Sequence, residues 1–213
     1  MPIDRLRIFT TVIFCALVLS MVNHNLYAVE CFSPPPSVLN GRGLFEDIVS
    51  RHLSQLEQTD LKSLFESLEG DWAGTAEVFI CDSREGVLEK QTEAYSLKAE
   101  IEMDRSGNFF LGVEFYSREK NSRHQDGIRL YLNGPVLSME PNNNISDIEI
   151  LAASYDELSY VKKSRRTSGS GAPTVQEFVI TIKKLDDSSF VFERVFFLRG
   201  RLISINTWHL EKQ

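Results

Sequence analysis

Residues 95–103 read Tyr-Ser-Leu-Lys-Ala-Glu-Ile-Glu-Met, so apolar side chains alternate with polar or charged ones along the whole stretch. A period of two is typical of a strand with one face on a core and the other in solvent. The same alternation recurs at 109–115 and 178–182, and turn sequences such as Asn-Gly-Pro at 133–135 separate such stretches. The sequence therefore predicts a mainly β chain.

About ten strands of this kind follow one another from Asp71 onward, joined mostly by short turns. No long helical stretch separates them, which argues against parallel βαβ units. Sequential antiparallel strands with one apolar face close naturally into an up-and-down barrel, which also removes exposed sheet edges. We predict a barrel of roughly eight to ten strands with a helical lead-in, and a β-sandwich is the alternative.

The first strand opens with Leu-Glu-Gly-Asp-Trp-Ala-Gly at 68–74. The motif Gly70-Asp71-Trp72 resembles the Gly-x-Trp opening of lipocalins and their calycin relatives, the fatty-acid-binding and nitrobindin-like barrels. The resemblance implies that Trp72 plugs one end of the barrel and that Gly70 allows close packing of the preceding helix. It also implies that a basic residue late in the chain covers Trp72, for which Arg199 and Arg201 are the candidates.

A barrel of this class holds one small ligand or is filled by its own side chains. For the first case we predict a small apolar or amphipathic ligand bound by burial and shape. The second case predicts a filled barrel that acts as a non-catalytic envelope or secreted module and binds a protein partner through its surface. The predicted lining residues are Tyr95, Leu97, Ile101, Phe109, Val113, Phe115, Ile128, Leu130, Phe178 and Ile180.

The N-terminal region predicts an exported chain. Arg5 and Arg7 precede an uncharged run from Ile8 to Val22, and Ala28 is a small residue at a candidate cleavage point. This run is shorter than the roughly 20 residues of a spanning helix, so we predict a signal peptide over 1–28, with an uncleaved anchor as the alternative. The predicted location is periplasmic or secreted, with no stable membrane span after cleavage.

Three further segments complete the predicted organisation. A Pro- and Gly-containing linker covers 29–43, a helical segment with apolar residues at i, i+3, i+4 and i+7 covers 44–69, and the barrel covers 70–213. Thr59-Asp60 offers a helix cap within the second segment. Cleavage after Ala28 leaves Cys31 and Cys81, which in an oxidising compartment are candidates for one disulfide if their geometry permits it.

The formal net charge of −7 disfavours a general nucleic-acid binder, because such proteins need clustered Lys and Arg. A basic cluster at 162–166 is predicted to lie at a hairpin tip, where a loop over 164–174 begins. No nucleophile-elbow, metal-ligand or acid–base motif stands out. We therefore predict no catalytic residue, no metal and no cofactor.

Overall fold

A computed structural model describes residues 31, 33–81, 86–91, 95–139, 148–167 and 173–213. The predicted signal peptide at 1–28 lies outside these ranges. Within these ranges two helices precede the sheet, α1 (Pro36–Leu39) and α2 (Gln55–Leu68). The strands are β1 (Gly70–Cys81), β2 (Leu88–Lys90), β3 (Tyr95–Met103), β4 (Phe109–Ser117), β5 (Ser122–Asn133), β6 (Val136–Met139), β7 (Ile148–Ala153), β8 (Glu157–Thr167), β9 (Pro173–Lys184), β10 (Ser189–Leu198) and β11 (Arg201–Lys212).

The strands form one antiparallel sheet that curls into a nearly closed barrel. Its order is β6-β5-β4-β3-β1-β11-β10-β9-β8-β7, and β2 pairs separately with β1. Strand β1 bonds to both β3 and β11, which joins the first and last strands of the chain. The predicted up-and-down barrel is confirmed, and β6 and β7 are the two ends of the strand order.

The core lies inside this barrel because one face of each strand carries its apolar residues. In β3 the buried positions Leu97, Ala99 and Ile101 alternate with exposed Ser96, Lys98 and Glu100. Cross-strand partners share a face, so the register assigns each residue to the lumen or to the outer wall. The buried lumen-facing side chains of the strands form one cluster with residues of α2.

Helix α2 covers one end of the barrel, which we call the closed end. Its buried face is formed by Leu61, Leu64, Phe65 and Leu68. The helix begins with a capping box: the Glu57 backbone N–H donates to Ser54 Oγ at 3.2 Å, and the Ser54 N–H donates to Glu57 Oε2 at 2.8 Å. The predicted helical segment 44–69 is therefore wrong over 44–54, and Thr59 lies inside α2 instead of capping it.

Residues 33–54, which we call the N-terminal strap, run along the outer wall, and after α1 they form no further helix before α2. Ser50 Oγ donates to the Ile148 carbonyl at 2.9 Å, and the Leu53 N–H donates to the Pro135 carbonyl at 2.8 Å. These bonds to distant strands explain why the apolar spacing of 44–58 did not produce a helix. The predicted linker 29–43 also needs correction, because it contains the single turn of α1.

Polar contacts hold the strap on β8 and β9. Buried Glu177 accepts hydrogen bonds from the Ser37 N–H at 3.2 Å and from its hydroxyl at 2.6 Å. Lys163 Nζ donates to the Glu46 carbonyl at 2.7 Å. The outer-wall residues Val161 and Val175 are each only 1% exposed, so apolar contact adds to these bonds. A disulfide joins Cys31 to Cys81, with the two Cα atoms 5.6 Å apart, and ties the chain before the strap to the end of β1.

The predicted loop over 164–174 is shorter than expected. Strand β8 continues to Thr167 and β9 begins at Pro173, with Arg165 opposite Val175 in the ladder. The basic cluster therefore lies within a strand and not at a hairpin tip. Alternation along β8 sends its residues to opposite sides of the barrel wall.

Candidate ligand site in the barrel lumen

The closed end of the lumen is filled by aromatic side chains. Phe65 of α2 stacks on Phe109 with ring centroids 4.6 Å apart. Trp72 meets Phe190 edge-on at 4.8 Å. All four side chains are 2% exposed or less. This half of the barrel is a packed core.

Trp72 plugs the closed end as the sequence resemblance implied. Its indole Nε1–H donates to the Leu68 carbonyl at 2.8 Å, which satisfies the end of α2 and fixes the ring. Gly70 has φ +124°, a conformation that L side chains rarely adopt, and so permits the sharp passage from helix to strand.

The cation over Trp72 is Lys212, whose Nζ lies 5.4 Å from the ring centroid. The prediction that Arg199 or Arg201 covers Trp72 is therefore wrong. Those two arginines flank the β10–β11 turn, at the end of the barrel away from α2. Strand β11 must run its full length back toward α2 before a residue pairs with Trp72, and that residue is Lys212.

A second aromatic layer crosses the middle of the lumen. Trp208 stacks on Phe192 with centroids 4.0 Å apart and meets Phe115 edge-on at 5.2 Å. We call Phe115, Phe192 and Trp208 the aromatic floor. Tyr95 meets Phe115 edge-on at 6.3 Å. The Trp208 indole N–H donates to Asn206 Oδ1 at 2.9 Å, so a polar side chain lies directly beyond the floor.

Near the floor, an ion pair spans the lumen between opposite walls. Arg194 Nη1 donates to Asp126 Oδ2 at 2.8 Å, and these residues belong to β10 and β5, which lie far apart in the strand order. Both face inward, since Arg194 pairs with buried Ile180 and Asp126 pairs with buried Val113. Their side chains are nevertheless 30% and 26% exposed, and Asp126 also lines both grooves on the outside of β3–β5.

Strands β8 to β10 add a lumen-facing cation and an aromatic pair. Phe178 stacks on Phe196 with centroids 4.7 Å apart, and both rings are partly exposed. Lys162 lies opposite Phe178 in the β8–β9 ladder and opposite buried Ile148 in the β7–β8 ladder, so it faces the lumen. Apolar surface, hydrogen-bonding groups and charge thus line the half of the lumen that lies beyond the floor. This combination is typical of a small-molecule site.

The ten lining residues predicted from the sequence all lie on the lumen face, but at different depths. Eight of them are at most 7% exposed, and most of these belong to the packed core. Phe115 contributes to the floor, whereas Tyr95 and Phe178 are partly exposed beyond it. Sequence reasoning missed the lumen residues Asp126, Lys162, Arg194, Asn206 and Trp208. The available signal was the period of two along each strand: each of these residues lies an even number of positions from other inward-facing residues of its own strand.

The remaining candidates from the sequence lie outside the lumen. Within the described ranges, no three His, Cys, Asp or Glu side chains come close enough to hold a metal ion. Lys163 and Arg165 of the basic cluster face the strap, and Arg165 pairs with Asp47 at 3.0 Å. Nor does any helix in the described part of the chain have the length and apolar character needed to cross a membrane.

The outer wall also carries shallow grooves, of about 640 and 620 Å³, over β3, β4 and β5. They form where Gly112 pairs with Gly127, since two facing glycines leave a gap in the layer of side chains. Glu100 and Asp126 line both grooves, so Asp126 is accessible from this side of the wall as well. These grooves lack the stacked aromatic rings of the lumen, which is therefore the stronger candidate site.

Comparisons with known proteins identify a fold likeness only. No protein-family model matches the sequence, and no curated protein shows significant similarity to it. Among solved structures, a DUF3598-family protein of unknown function from Nostoc punctiforme is similar over 76% of this chain, with 14% identity and a TM-score of 0.44. The chain spans about half of that protein, 51% of its length.

A second similar structure is EF1p2_mFAP2b bound to DFHBI. It shares 9% identity with a TM-score of 0.40 and is matched over 72% of this chain and 99% of its own. What the fold and the site define is a class: a nearly closed antiparallel barrel with one end plugged by a helix and a tryptophan.

Proposed function

We propose that the protein is an exported carrier of one small amphipathic ligand. The ligand lies in the lumen beyond the aromatic floor, as in a lipocalin-like barrel. The Phe178–Phe196 stack supports this proposal most directly, because its two rings face the lumen, are only partly buried and so offer apolar surface to a ligand. Burial of apolar ligand surface against the floor supplies affinity at about 25 cal/mol per Å².

The polar groups beyond the floor orient the ligand. Asn206 and Arg194 lie on strands held by ladders on both sides, and Asp126 lies on β5 where it pairs with β4. An apolar ligand body packs on Phe115 and Trp208, and a polar head meets the charged groups. A few polar groups in a mostly apolar cavity give orientation and specificity in this way.

The alternative function, a protein-interaction module with a filled barrel, has less support. A filled barrel requires lumen-facing side chains to be buried along the whole axis. Tyr95, Phe178 and Phe196 face the lumen and are partly exposed.

Two observations support export. The sequence predicts a signal peptide over 1–28, and the Cys31–Cys81 disulfide is of the kind that persists in oxidising compartments. We propose a periplasmic or secreted location for the chain from Val29 onward.

Native mass spectrometry of the protein purified gently from its own host tests both the carrier function and the export of the chain. A peptide mass beginning at Val29, with a reproducible excess mass that unfolding releases, is the expected result. A mass that retains residues 1–28 contradicts export. A mass with no excess, together with failure to bind the neutral dye N-phenyl-1-naphthylamine, contradicts the carrier function.

A blocking variant locates the dye in the lumen. Val78 faces the lumen opposite Asn206, so Val78→Trp fills the space beyond the floor. It is expected to weaken dye binding by about tenfold or more, since the ligand loses most of its buried surface. Lys98→Trp on the outer wall is the matched control and leaves binding unchanged. Equal binding by both variants would place the dye elsewhere.

A further inference from the structure

Lys162 is a lumen-facing cation that has no partner among the residues that the structure describes. Its neighbours on the lumen side of the ladders are Ile148 and Phe178, both part of or packed against the core. It is the next inward residue after Tyr160, on the side away from α2. A lysine at such a position is unusual, because partly buried ammonium groups are normally paired.

The other cations nearby do have partners. Lys163 binds the Glu46 carbonyl, Arg165 pairs with Asp47, and Arg194 pairs with Asp126. By contrast, no described residue forms a hydrogen bond or ion pair with Lys162 Nζ. Within the described part of the chain, the neighbouring basic groups have partners and this one does not.

The balance of charge around Lys162 favours an anion. Among described side chains that face the lumen near or beyond the floor, Lys162 and Arg194 are the cations, and Asp126 is the carboxylate that Arg194 already engages. Glu89 and Arg201 are exposed residues at the end of the barrel away from α2, and their opposite charges cancel. The site wall is thus locally positive in a protein of net charge −7. Such a local reversal of sign selects an oppositely charged group.

We infer that the ligand is an anionic amphiphile, with a carboxylate or sulfonate head bound by Lys162. This inference rests on the proposed carrier function and specifies its ligand class. The apolar body lies against the Phe178–Phe196 stack and the aromatic floor. The head accepts a charge-assisted hydrogen bond from Nζ, which is stronger than a neutral one. A cationic amphiphile is rejected, because it meets Lys162 while Asp126 is engaged by Arg194.

Two dyes of similar apolar size test the inference: anionic 1-anilinonaphthalene-8-sulfonate and neutral N-phenyl-1-naphthylamine. Lys162→Gln is expected to weaken binding of the anionic dye about tenfold, the loss of one charge-assisted bond, and to change neutral-dye binding less than about twofold. Lys98→Gln, which removes an exposed lysine from the outer wall, is the matched control and affects neither dye. Lys162→Arg is expected to retain the preference for the anionic dye.

A competition experiment on the unchanged protein gives an independent result. Dodecanoate is expected to displace the neutral dye at lower concentration than dodecanol, and added salt is expected to narrow that difference. If neither dye binds, the carrier function itself fails. If both dyes bind but Lys162→Gln leaves their ratio unchanged, and dodecanol competes as well as dodecanoate, the carrier function stands and the anion inference is overturned.

Discussion

At the scale of single residues, the cover of Trp72 shows how strand register selects a partner. The side chain of Lys212 reaches the indole because the two residues are opposite each other in the β1–β11 ladder. A cation over an indole face is attracted by the ring quadrupole. Arg201 belongs to the same strand but lies at its other end, where no contact with Trp72 is possible.

Lys212→Met should lower the free energy of unfolding by about 0.5–1 kcal/mol, since it removes the charge while keeping an apolar stem over the ring. Arg201→Met should leave stability unchanged. Urea unfolding of both variants measures the difference. Equal losses would show that Lys212 acts only as a surface charge.

Glu193 provides a pH-dependent test on the outer wall. It lies between Thr181 and Thr207 in the ladders, and burial raises the pKa of its carboxyl above the ordinary value of 4.5, while a bond to Thr207 opposes this shift. The folded state therefore holds the proton more tightly than the unfolded state. Stability from this group is present below pH 4.5 and is lost as the pH rises through the folded pKa.

Glu193→Gln should accordingly become more stable relative to the wild type as the pH rises from about 4 to 7, because Gln does not ionise. Urea midpoints at several pH values measure this trend. Glu100→Gln on the exposed face of β3 corrects for the loss of one negative charge. A constant difference between Glu193→Gln and the wild type would contradict the shifted pKa.

At the scale of secondary-structure elements, the start of α2 is set by local chemistry. Arg51 hydrogen-bonds to the Glu57 carboxylate, and the Ser54 N–H donates to it as well, so the pKa of Glu57 falls to about 2. The carboxylate therefore stays ionised and keeps the capping box closed under ordinary conditions. Capping chemistry of this type ends the preceding extended segment and begins the helix.

Ser54→Ala should destabilise the protein by about 1 kcal/mol, the usual cost of losing an N-cap oxygen. Thr59→Ala is the informative control, because Thr59 Oγ1 bonds to the Gln55 carbonyl within the helix and alanine has the higher helix propensity. Thermal or urea unfolding should show a loss for the first variant only. A similar loss from Thr59→Ala would argue against Ser54 as the cap.

At the scale of the whole molecule, the pairing of β1 with β11 joins the first and last strands of the chain, and we call this contact the β1–β11 seam. Gly74 lies in this seam, and a Cβ atom there would lie 1.8 Å from the His209 carbonyl oxygen. The two backbones can approach closely only because residue 74 lacks a side chain. Gly112 is a useful contrast, since its Cβ would be 3.9 Å from the nearest atom, the Glu100 carbonyl oxygen.

Gly74→Ala should therefore force β1 and β11 apart and cost about 1–3 kcal/mol or more, as overpacking does. Gly112→Ala should change stability by less than about 0.5 kcal/mol. Urea unfolding, with hydrogen exchange of β11 amides, measures both. Tolerance of Gly74→Ala would mean that the seam is looser than the ladder indicates.

The Cys31–Cys81 disulfide also acts on the whole chain, because it closes a loop with a sequence separation of 50 residues. Replacing both cysteines by serine should lower the free energy of unfolding by about 2–4 kcal/mol, mainly through the entropy of the unfolded chain. Amides of β8 and β9 should exchange faster as the strap loosens. A reducing agent should reproduce the effect in the wild type and leave the double variant unchanged.

The candidate site could be predicted in part. Period-two alternation placed Tyr95, Phe115 and Phe178 on the inner face, since the face to which a strand residue points follows from its neighbours in the sequence. It could not show that Asp126 and Arg194 meet, because they are 68 positions apart on opposite walls. Nor could it show how deep each residue lies, which depends on where α2 and Trp72 fill the barrel.

The sequence alone determined a mainly β chain of sequential antiparallel strands, because strand alternation and turn residues act over short distances, and the Gly-x-Trp resemblance predicted the plug at Trp72. Closure into a barrel instead of a β-sandwich depends on the pairing of β1 with β11, which are far apart in the chain. The tertiary structure decided which cation covers Trp72, why 44–54 is a strap instead of a helix, and which lysine of the basic cluster faces the lumen. Each of these depends on strand register and on contacts between residues distant in the chain. The closed barrel fixes such contacts, whereas local periodicity carries no information about them.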